Sequence, residues 1–308
     1  MMTHMETLEK SGITGRIVRS TGGLYTVEIA DGSTVESRAK GAFRHEKLTP
    51  LTGDEVSIDV GKDGGGFITD ILPRKNALVR PAVANVDLLI LVVAAARPDP
   101  DLYILDKLTA IAAYHGITTL LVINKSDIGD ADGLASLYRA AGIDTVTLSA
   151  TDEDGSSAAL NEIRERIKGY ISFFSGASGV GKTSLLNALY PGFRRATGEI
   201  SRRIERGKHT TRLTELFKVG ENTYIGDTPG FSMVDVAGFN LLPFEELLPS
   251  FPDIEKYADG CRYTDCTHLC EEGCSVMEAL SEGKIQPTRH ASYVKLYKEL
   301  KDIKPWTK

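Results

Sequence analysis

Residues 170–189 read YISFFSGASGVGKTSLLNAL, and this stretch decides the fold of the domain around it. Its first residues are apolar and aromatic, as in a buried strand, and its last residues are typical of a helix. Between them, residues 176–183 match the pattern G-x-x-x-x-G-K-[ST] in full. Glycines at these positions let the backbone curl around phosphate groups and aim its N–H groups at them. The stretch predicts a phosphate-binding loop in a parallel α/β domain.

Nucleotide contacts are expected along the whole of this loop. Lys182 would reach the β and γ phosphates and assist catalysis, and the Thr183 hydroxyl would hold Mg²⁺. The expected binding residues here are Gly176, Ala177, Ser178, Gly179, Val180, Gly181, Lys182, Thr183 and Ser184.

The base is expected to be read upstream, where the apolar strand TTLLVI ends in Asn124, Lys125, Ser126 and Asp127. A carboxylate at Asp127 can accept two hydrogen bonds from guanine, and adenine lacks that donor arrangement. The alternative is a polar loop in which Asp127 caps the next helix. Ser149 and Ala150, which follow the strand TVTL, are expected to back the guanine ring.

The remaining nucleotide motifs lie downstream of the phosphate loop. Asp227 follows the strand TYIG and would bind Mg²⁺, while the Gly230 N–H would sense the γ phosphate. Between these motifs, the segment GKHTTR is placed where a switch loop donates a threonine to the metal. Thr211 is the expected Mg²⁺ and catalytic threonine, with Thr210 as the alternative.

The motifs occur in a circularly permuted order, with the guanine motif ahead of the phosphate loop. A doubly wound sheet tolerates this order, because its loops gather at the carboxyl ends of the strands whatever the connectivity. The strands VDLLILVVA, TTLLVI, TVTLSA and YISFFSG, with helices near 101–114, 132–141 and 156–168, fit such a sheet. Together the motifs predict a protein that binds and hydrolyses GTP.

The N-terminal part of the chain reads as short strands separated by glycine turns. Five segments fit the strands of a small β-barrel of the OB type, namely GRIVRS, LYTVEIA, STVESRA, DEVSIDV and GFITDIL. The number of strands alone does not exclude an SH3-like barrel. The first eleven or so residues are expected to be disordered. The predicted domains are 1–73 for the barrel, 74–236 for the permuted GTPase domain and 237–308 for a small helical module.

All four cysteines of the chain fall within the last of these domains. Their crowding, with no secretory signal, favours a metal over disulfides. Cys261, Cys266, His268 and Cys274 would give a closed tetrahedral Zn²⁺ site, which is typical of a structural role. A four-cysteine set with Cys270 in place of His268 is the alternative.

The charge and apolar content of the sequence limit which partners the protein is expected to have. The formal net charge of −6 argues against binding nucleic acid through the overall field of the protein. Any RNA would be met by local patches, either residues 202–212 or the tail lysines, which also suit a solvated helix. The longest apolar run, residues 88–96, is too short to span a bilayer. A cytoplasmic monomer is expected.

The order of these motifs, with GASGVGKTSLLN, GKHTT, DTPGF and C-x4-C-x-H-x5-C, resembles the ribosome small-subunit-dependent GTPase A family (RsgA, also YjeQ or YloQ). The resemblance extends to LPRKNALVRP and NVD, and so to nearly the whole chain. It implies an OB domain, a permuted GTPase domain and a zinc domain with ligands Cys261, Cys266, His268 and Cys274. It also implies a late assembly factor that binds the 30S subunit and 16S rRNA and has its GTPase stimulated by the subunit.

Catalysis is where the chain departs from most GTPases. Phe231 occupies the position of the usual water-orienting glutamine, and the family shares this hydrophobic replacement. The resemblance supports His209 as the group that positions water, and the alternative is a switch-loop residue with a structural or ribosome-contact role. Two other functions stay open at this point: a GTP/GDP-dependent RNA-binding switch whose hydrolysis is incidental, and an RNA chaperone unrelated to ribosomes.

Overall fold

The computed structural model describes residues 8–40, 43, 48–78, 82–152, 155–191, 214–227 and 242–303, with the backbone alone at 8–11, 214 and 227. By its internal contacts the chain divides into two units. The first comprises Met1–Asp87, Ile167–Phe173 and Arg195–Gly230. The second comprises Leu88–Arg166, Phe174–Arg194 and Phe231–Lys308.

The first unit contains a five-stranded barrel. Its strands are β1 (Leu8–Thr21), β2 (Leu24–Ile29), β3 (Thr34–Ala39), β4 (Glu55–Gly61) and β5 (Gly66–Ile71). They follow the order β1-β2-β3-β5-β4, and β4 returns to pair with β1, which closes the barrel. Alternate residues such as Ile17, Val27, Val56 and Ile68 point inward and are fully buried. Burial of this apolar face is the main favourable contribution to the stability of the barrel.

A short linker follows the barrel and carries strands β6 (Ala77–Leu78) and β7 (Val83–Ala84). Two polar contacts fix it within the first unit. Arg74 makes a two-point ion pair with the buried Asp54, with both N–O distances at 2.7 Å. Asn85 Nδ2 donates to the Gly53 carbonyl at 3.1 Å. The linker is therefore an ordered continuation of the barrel.

The second unit begins with three parallel strands in the order β10-β9-β8. These are β8 (Leu88–Ala94), β9 (Thr118–Asn124) and β10 (Asp144–Thr147). Helices α1 (Leu102–Tyr114), α2 (Ala131–Ala140) and α3 (Ser157–Ile167) alternate with them. All seven residues of β8 are buried, as expected for a strand covered on both faces.

The strand that precedes the glycine-rich loop is β11 (Ile171–Ser175), and helix α4 (Lys182–Leu189) follows the loop. Within the first unit, β11 pairs in parallel with β13 (Thr223–Asp227), and β13 forms an antiparallel hairpin with β12 (Thr214–Gly220). The outer strand of this hairpin, β12, pairs with barrel strand β1.

The chain ends in a small helical module with α5 (Pro252–Glu255), α6 (Ser275–Ser281) and α7 (Pro287–Leu300), and with 3-10 turns at Phe244–Glu246 and Ala258–Gly260. Its core includes the buried residues Phe251, Ile254, Val276 and Leu296. Ala110 and Ile111 of α1 belong to the same core. The module is therefore packed on α1 within the second unit.

The predicted OB-type barrel, parallel sheet and C-terminal helical module are confirmed. Strand β1 begins at Leu8, which pairs with Gly61 of β4. Farther along β1, Lys10 pairs with Val60 of β4, and the Gly12 N–H donates to Asp59 Oδ1 at 3.1 Å. Within the described ranges, no helix has the length and apolar character needed to cross a bilayer.

Candidate nucleotide and metal sites

The glycine-rich loop joins β11 to α4 and depends on glycine at two close approaches. A Cβ at Gly176 would lie 2.1 Å from the Val92 carbonyl oxygen of β8. Gly181 has φ +95°, and a Cβ there would lie 2.2 Å from Asn124 Nδ2. Any side chain would push the loop away from its supports, so only glycine allows this path.

Lys182 begins α4 and turns its side chain back over the loop. Its ammonium donates to the Ala177 carbonyl at 2.8 Å and also to the Gly176 carbonyl. Thr183 and Ser184 follow in the first helical turn and are exposed, whereas Val180 is buried beneath the loop. A helix N-terminus with a lysine over it and hydroxyls beside it suits an anion.

Asn124 joins three of the predicted nucleotide segments. It ends β9 and is only 2% exposed. Its Nδ2 donates to the Val180 carbonyl of the glycine-rich loop at 2.9 Å. Its Oδ1 accepts the Ala150 N–H at 2.9 Å. Both ends of the amide are used, so the asparagine fixes the phosphate loop and the ring-support loop relative to the base-reading segment.

Lys125 and Asp127 follow Asn124 in a tight turn. Lys125 has φ +59°, a left-handed conformation that is uncommon outside glycine. Its ammonium donates to the Arg97 carbonyl. Asp127 is exposed, and the cap of α2 is Asp130, whose carboxylate accepts the Gly133 N–H at 2.9 Å. The alternative interpretation, in which Asp127 caps this helix, is therefore wrong.

Ser149 and Ala150 lie in a loop that is stabilised by hydrogen bonds between Ser149 and Ser156. Ser156 Oγ accepts the Ser149 N–H at 3.1 Å and donates to the Ser149 carbonyl at 2.9 Å. Ser149 and Ser156 are both buried. Sequence reasoning missed Ser156, whose only signal was a serine just ahead of a helix.

Some predicted residues cannot be placed with these groups. Asp227 ends β13 in the first unit, and its backbone alone is described. His209, Thr210, Thr211, Gly230 and Phe231 lie outside the described residues. Their predicted roles stay predictions.

The C-terminal module brings Cys261, Cys266, His268 and Cys274 together, with their ligand atoms all within 4.8 Å of one another. Cys261 Sγ and Cys274 Sγ are 3.8 Å apart, and His268 Nδ1 is 3.5 Å from Cys261 Sγ. Tetrahedral bonds of about 2.3 Å to sulfur give edges of about 3.8 Å, so this cluster could hold a metal. Cys270 is exposed and outside the group.

The imidazole and its surroundings suit a metal ligand. Burial lowers the pKa of His268, which favours the neutral ring that coordinates metals. His268 has φ +62°, and its carbonyl accepts a hydrogen bond from His290 Nε2 at 2.8 Å. Sequence reasoning did not identify His290, because it lies on α7, which follows the cysteines in the sequence and carries no cysteine itself.

Glu271 organises the loop between the ligands. Its carboxylate accepts the N–H groups of Thr267 at 3.0 Å, Leu269 at 2.9 Å and Cys270 at 3.1 Å, together with the Thr267 hydroxyl. Burial raises the pKa of Glu271, but these hydrogen bonds outweigh it and hold the pKa at about 2. The loop therefore closes around a permanent negative charge beside the cluster.

The glycine-rich loop, its lysine and the Asn124 bridge define the P-loop class of nucleotide-binding proteins. Two family models match the chain, the RsgA N-terminal domain at residues 14–68 and the RsgA GTPase at residues 71–237. The chain belongs to the RsgA GTPase family and is a GTP hydrolase.

Relatives along the whole chain agree with this assignment. The chain is 40% identical to a Ruminiclostridium cellulolyticum protein, over 94% of each, and 39% identical to one from Geobacillus kaustophilus, over 94% of this chain and 98% of the other. Both are named small ribosomal subunit biogenesis GTPase RsgA.

Solved structures give the same result. YjeQ from Thermotoga maritima matches with a TM-score of 0.76 at 33% identity, covering 95% of this chain and 99% of the other. YloQ, described as a circularly permuted GTPase, matches with a TM-score of 0.75 at 30% identity over 100% of both chains. The circular permutation inferred from the motifs agrees with this description of YloQ.

Proposed function

We propose that this GTPase acts in biogenesis of the small ribosomal subunit, that it binds the 30S subunit and its 16S rRNA, and that the subunit stimulates hydrolysis. The observation that carries the proposal is near full-length identity of about 40% to proteins with that name. Such a partner would place the protein in the cytoplasm, where it would act as a monomer.

Within the nucleotide site, we propose a separate role for each of the predicted residues. Asp127 reads guanine, Ser149 and Ala150 support the ring, and Asn124 and Lys125 hold these loops in place. The Asn124 bridge supports this division, because it ties the base-reading segment to the phosphate loop. Thr183, Thr211 and Asp227 are the proposed Mg²⁺ ligands, and Gly230 senses the γ phosphate.

Mg²⁺, when bound, would neutralise phosphate charge that develops during hydrolysis. The exposed Thr183 hydroxyl at the start of α4 fits an oxygen ligand for this ion. Lys182 is proposed to hold the β and γ phosphates, and His209 is proposed to orient the attacking water in place of the glutamine that Phe231 replaces.

The test is GTP turnover with and without purified 30S subunits. We expect slow turnover alone and strong stimulation by intact subunits. Equal rates under both conditions would overturn the proposal. If subunits bind in a GTP-dependent way without stimulating turnover, the chain is instead a GTP/GDP-dependent RNA-binding switch. His209→Ala should lose stimulated turnover and retain 30S binding.

Base selection is tested with Asp127→Asn, which removes the acceptor for the guanine amino group. Preference should move from GTP towards XTP, because the shape of the pocket is kept. Ser126→Ala is the matched control, since Ser126 is an exposed neighbour in the same turn. Unchanged GTP affinity in Asp127→Asn would show that another group reads the base.

For the metal cluster we propose one structural Zn²⁺ held by Cys261, Cys266, His268 and Cys274. Three thiolates and one imidazole leave no open position on a tetrahedral ion. Elemental analysis should give about one zinc per chain. Cys261→Ala should lose the metal and Cys270→Ala should keep it, and the reverse pattern would refute this ligand set.

A further inference from the structure

Helix α3 contacts two parts of the proposed nucleotide site. In the sequence it lies between the ring-support segment, which is Ser149 and Ala150, and the strand that leads into the glycine-rich loop. Ser156 directly precedes the first residue of α3, and Arg164 lies in its last turn. Both side chains, and the groups to which they hydrogen-bond, lie within the second unit.

Arg164 holds the carboxyl end of α4, the helix that follows the glycine-rich loop. Its Nε donates to the Leu189 carbonyl at 3.0 Å, and its Nη2 donates to the Ala188 carbonyl at 2.8 Å. These carbonyls belong to the last turn of α4, where a helix has no further N–H groups to offer them. Tyr190 is extended and Pro191 follows, so α4 does not continue. The guanidinium therefore satisfies two carbonyls and places a positive charge at the negative end of the helix dipole.

The direction of α4 depends on such tertiary contacts, because the helix is short. It has eight residues and is about 12 Å long, and isolated helices of this length are marginal in water. Three buried leucines pack its inner side. Arg164 fixes its carboxyl end, while its amino end carries Lys182 and Thr183, the proposed contacts of the phosphates and Mg²⁺. A tilt of α4 would therefore move both of these groups.

Ser156 holds the ring-support segment at the opposite end of α3. Its hydroxyl accepts the Ser149 N–H and donates to the Ser149 carbonyl, and Ser156 is 5% exposed. The next residue, Ala150, donates its N–H to Asn124 Oδ1. The path of the backbone through Ser149 and Ala150 thus depends on one buried hydroxyl at the start of α3.

We propose that α3 sets the position of the guanine pocket relative to the phosphate loop, with Arg164 and Ser156 as its positioning residues. Arg164 acts through α4 on recognition of the phosphates. Ser156 acts through the ring-support segment on selection of the base. The inference rests on the proposed nucleotide site and does not need the ribosomal partner.

The test measures affinities of the full chain in Mg²⁺, by competition with a fluorescent GDP derivative. Recognition of the phosphates is given by the ratio of the Kd for GMP to the Kd for GDP. Selection of the base is given by the ratio of the Kd for a non-hydrolysable ATP analogue to that for the matching GTP analogue. Arg164→Ala should lower the first ratio about tenfold and keep the second, and Ser156→Ala should do the reverse.

A merely structural role would give a different result. Loss of folded protein lowers all affinities by one common factor, so it moves neither ratio. Arg164→Lys keeps the charge but lacks the planar fork, so it should lower the first ratio by a smaller factor than Arg164→Ala. The same signature can therefore be read from a variant that keeps the charge.

The matched controls lie on the same helix. Arg166 pairs with Asp144 and Glu162 instead of with α4, so Arg166→Ala should keep both ratios. Ser157→Ala, which changes an exposed neighbour of Ser156, should keep them as well.

Unchanged ratios in Arg164→Ala or in Ser156→Ala would overturn the inference alone, as would a parallel fall of both ratios in each variant. A wild-type chain that binds GMP as tightly as GDP, or the ATP analogue as tightly as the GTP analogue, would refute the proposed nucleotide site as well.

Discussion

Arg289 Nη1 of α7 donates to Asp106 Oδ1 of α1 at 2.9 Å, across 183 positions of sequence. Arg289 is 1% exposed and also makes a two-point pair with Asp253 at 2.8 and 3.1 Å. Burial lowers the pKa of Arg289, but the two carboxylates outweigh it, so the guanidinium stays charged. One side chain thus joins α1, α5 and α7.

Arg289→Ala should therefore destabilise the second unit by about 3–5 kcal/mol, because both carboxylates would be left buried without a counter-charge. Arg289→Lys should recover only part of the loss, since an ammonium cannot replace the planar fork. Chemical denaturation measures the effect. Lys298→Ala, an exposed residue on the same helix, should change stability little. A loss below about 1 kcal/mol in Arg289→Ala would contradict the prediction.

Gly181→Ala tests the glycine-rich loop. Alanine at φ +95° costs about 1–2 kcal/mol, and its Cβ would meet Asn124 Nδ2 at 2.2 Å and displace the amide that holds the loop. We expect GTP affinity, measured by calorimetric titration, to fall more than about tenfold. Gly142→Ala separates strain from clash, because Gly142 has φ +78° with open space around it. That control should lose stability and keep GTP affinity.

Glu271→Gln tests the loop that carries the metal cluster. The glutamine amide would keep one acceptor oxygen, but it would lose the negative charge and some of the four hydrogen bonds that the Glu271 carboxylate accepts. The metal ligands would therefore be less well preorganised. Metal affinity, measured by competition with a chelator, should fall about 10- to 100-fold, as for other supporting residues of metal sites. Glu272→Gln changes an exposed neighbour and should leave affinity unaltered. Equal affinity in both variants would remove the proposed role of Glu271.

The sequence predicted the strands and helices closely because their signals are local. The period-two pattern around Tyr25 and Val27 and the apolar run of β8 each depend on neighbouring residues alone. Motif spacing likewise predicted the loop residues and the cysteine cluster. The choice of His268 over Cys270 needed the family resemblance, because residue spacing permits both.

Long-range partners could not be predicted in the same way. Arg289 lies in a lysine-rich tail that reads as a solvated helix, and nothing near it marks it as buried. The pairing of Arg19 with Glu215 joins segments almost two hundred residues apart. Such contacts follow from the packing of whole elements, which local sequence patterns do not reveal.

Glu215 lies where β12 pairs with β1, and its ionisation lowers the stability of the folded protein in a pH-dependent way. Its Oε2 is buried without a hydrogen-bond partner among the described residues, and burial raises its pKa although Arg19 lowers it. A carboxyl whose pKa is raised by folding contributes stability below its unfolded pKa of about 4.3, and loses it as the pH rises through the folded value. Ionised Glu215 is therefore unfavourable at neutral pH.

Glu215→Gln should accordingly raise the Tm at pH 7, and the gain should shrink as the pH falls to about 4 and vanish below that, where the wild-type carboxyl becomes protonated in the unfolded state as well. Thermal melting across this range measures the difference. Glu221→Gln, in the exposed turn of the same hairpin, should give no pH-dependent gain. If the gain were as large at pH 4 as at pH 7, packing rather than charge would explain it. A gain confined to neutral pH would show that the strand pair joining barrel and hairpin retains a buried negative charge.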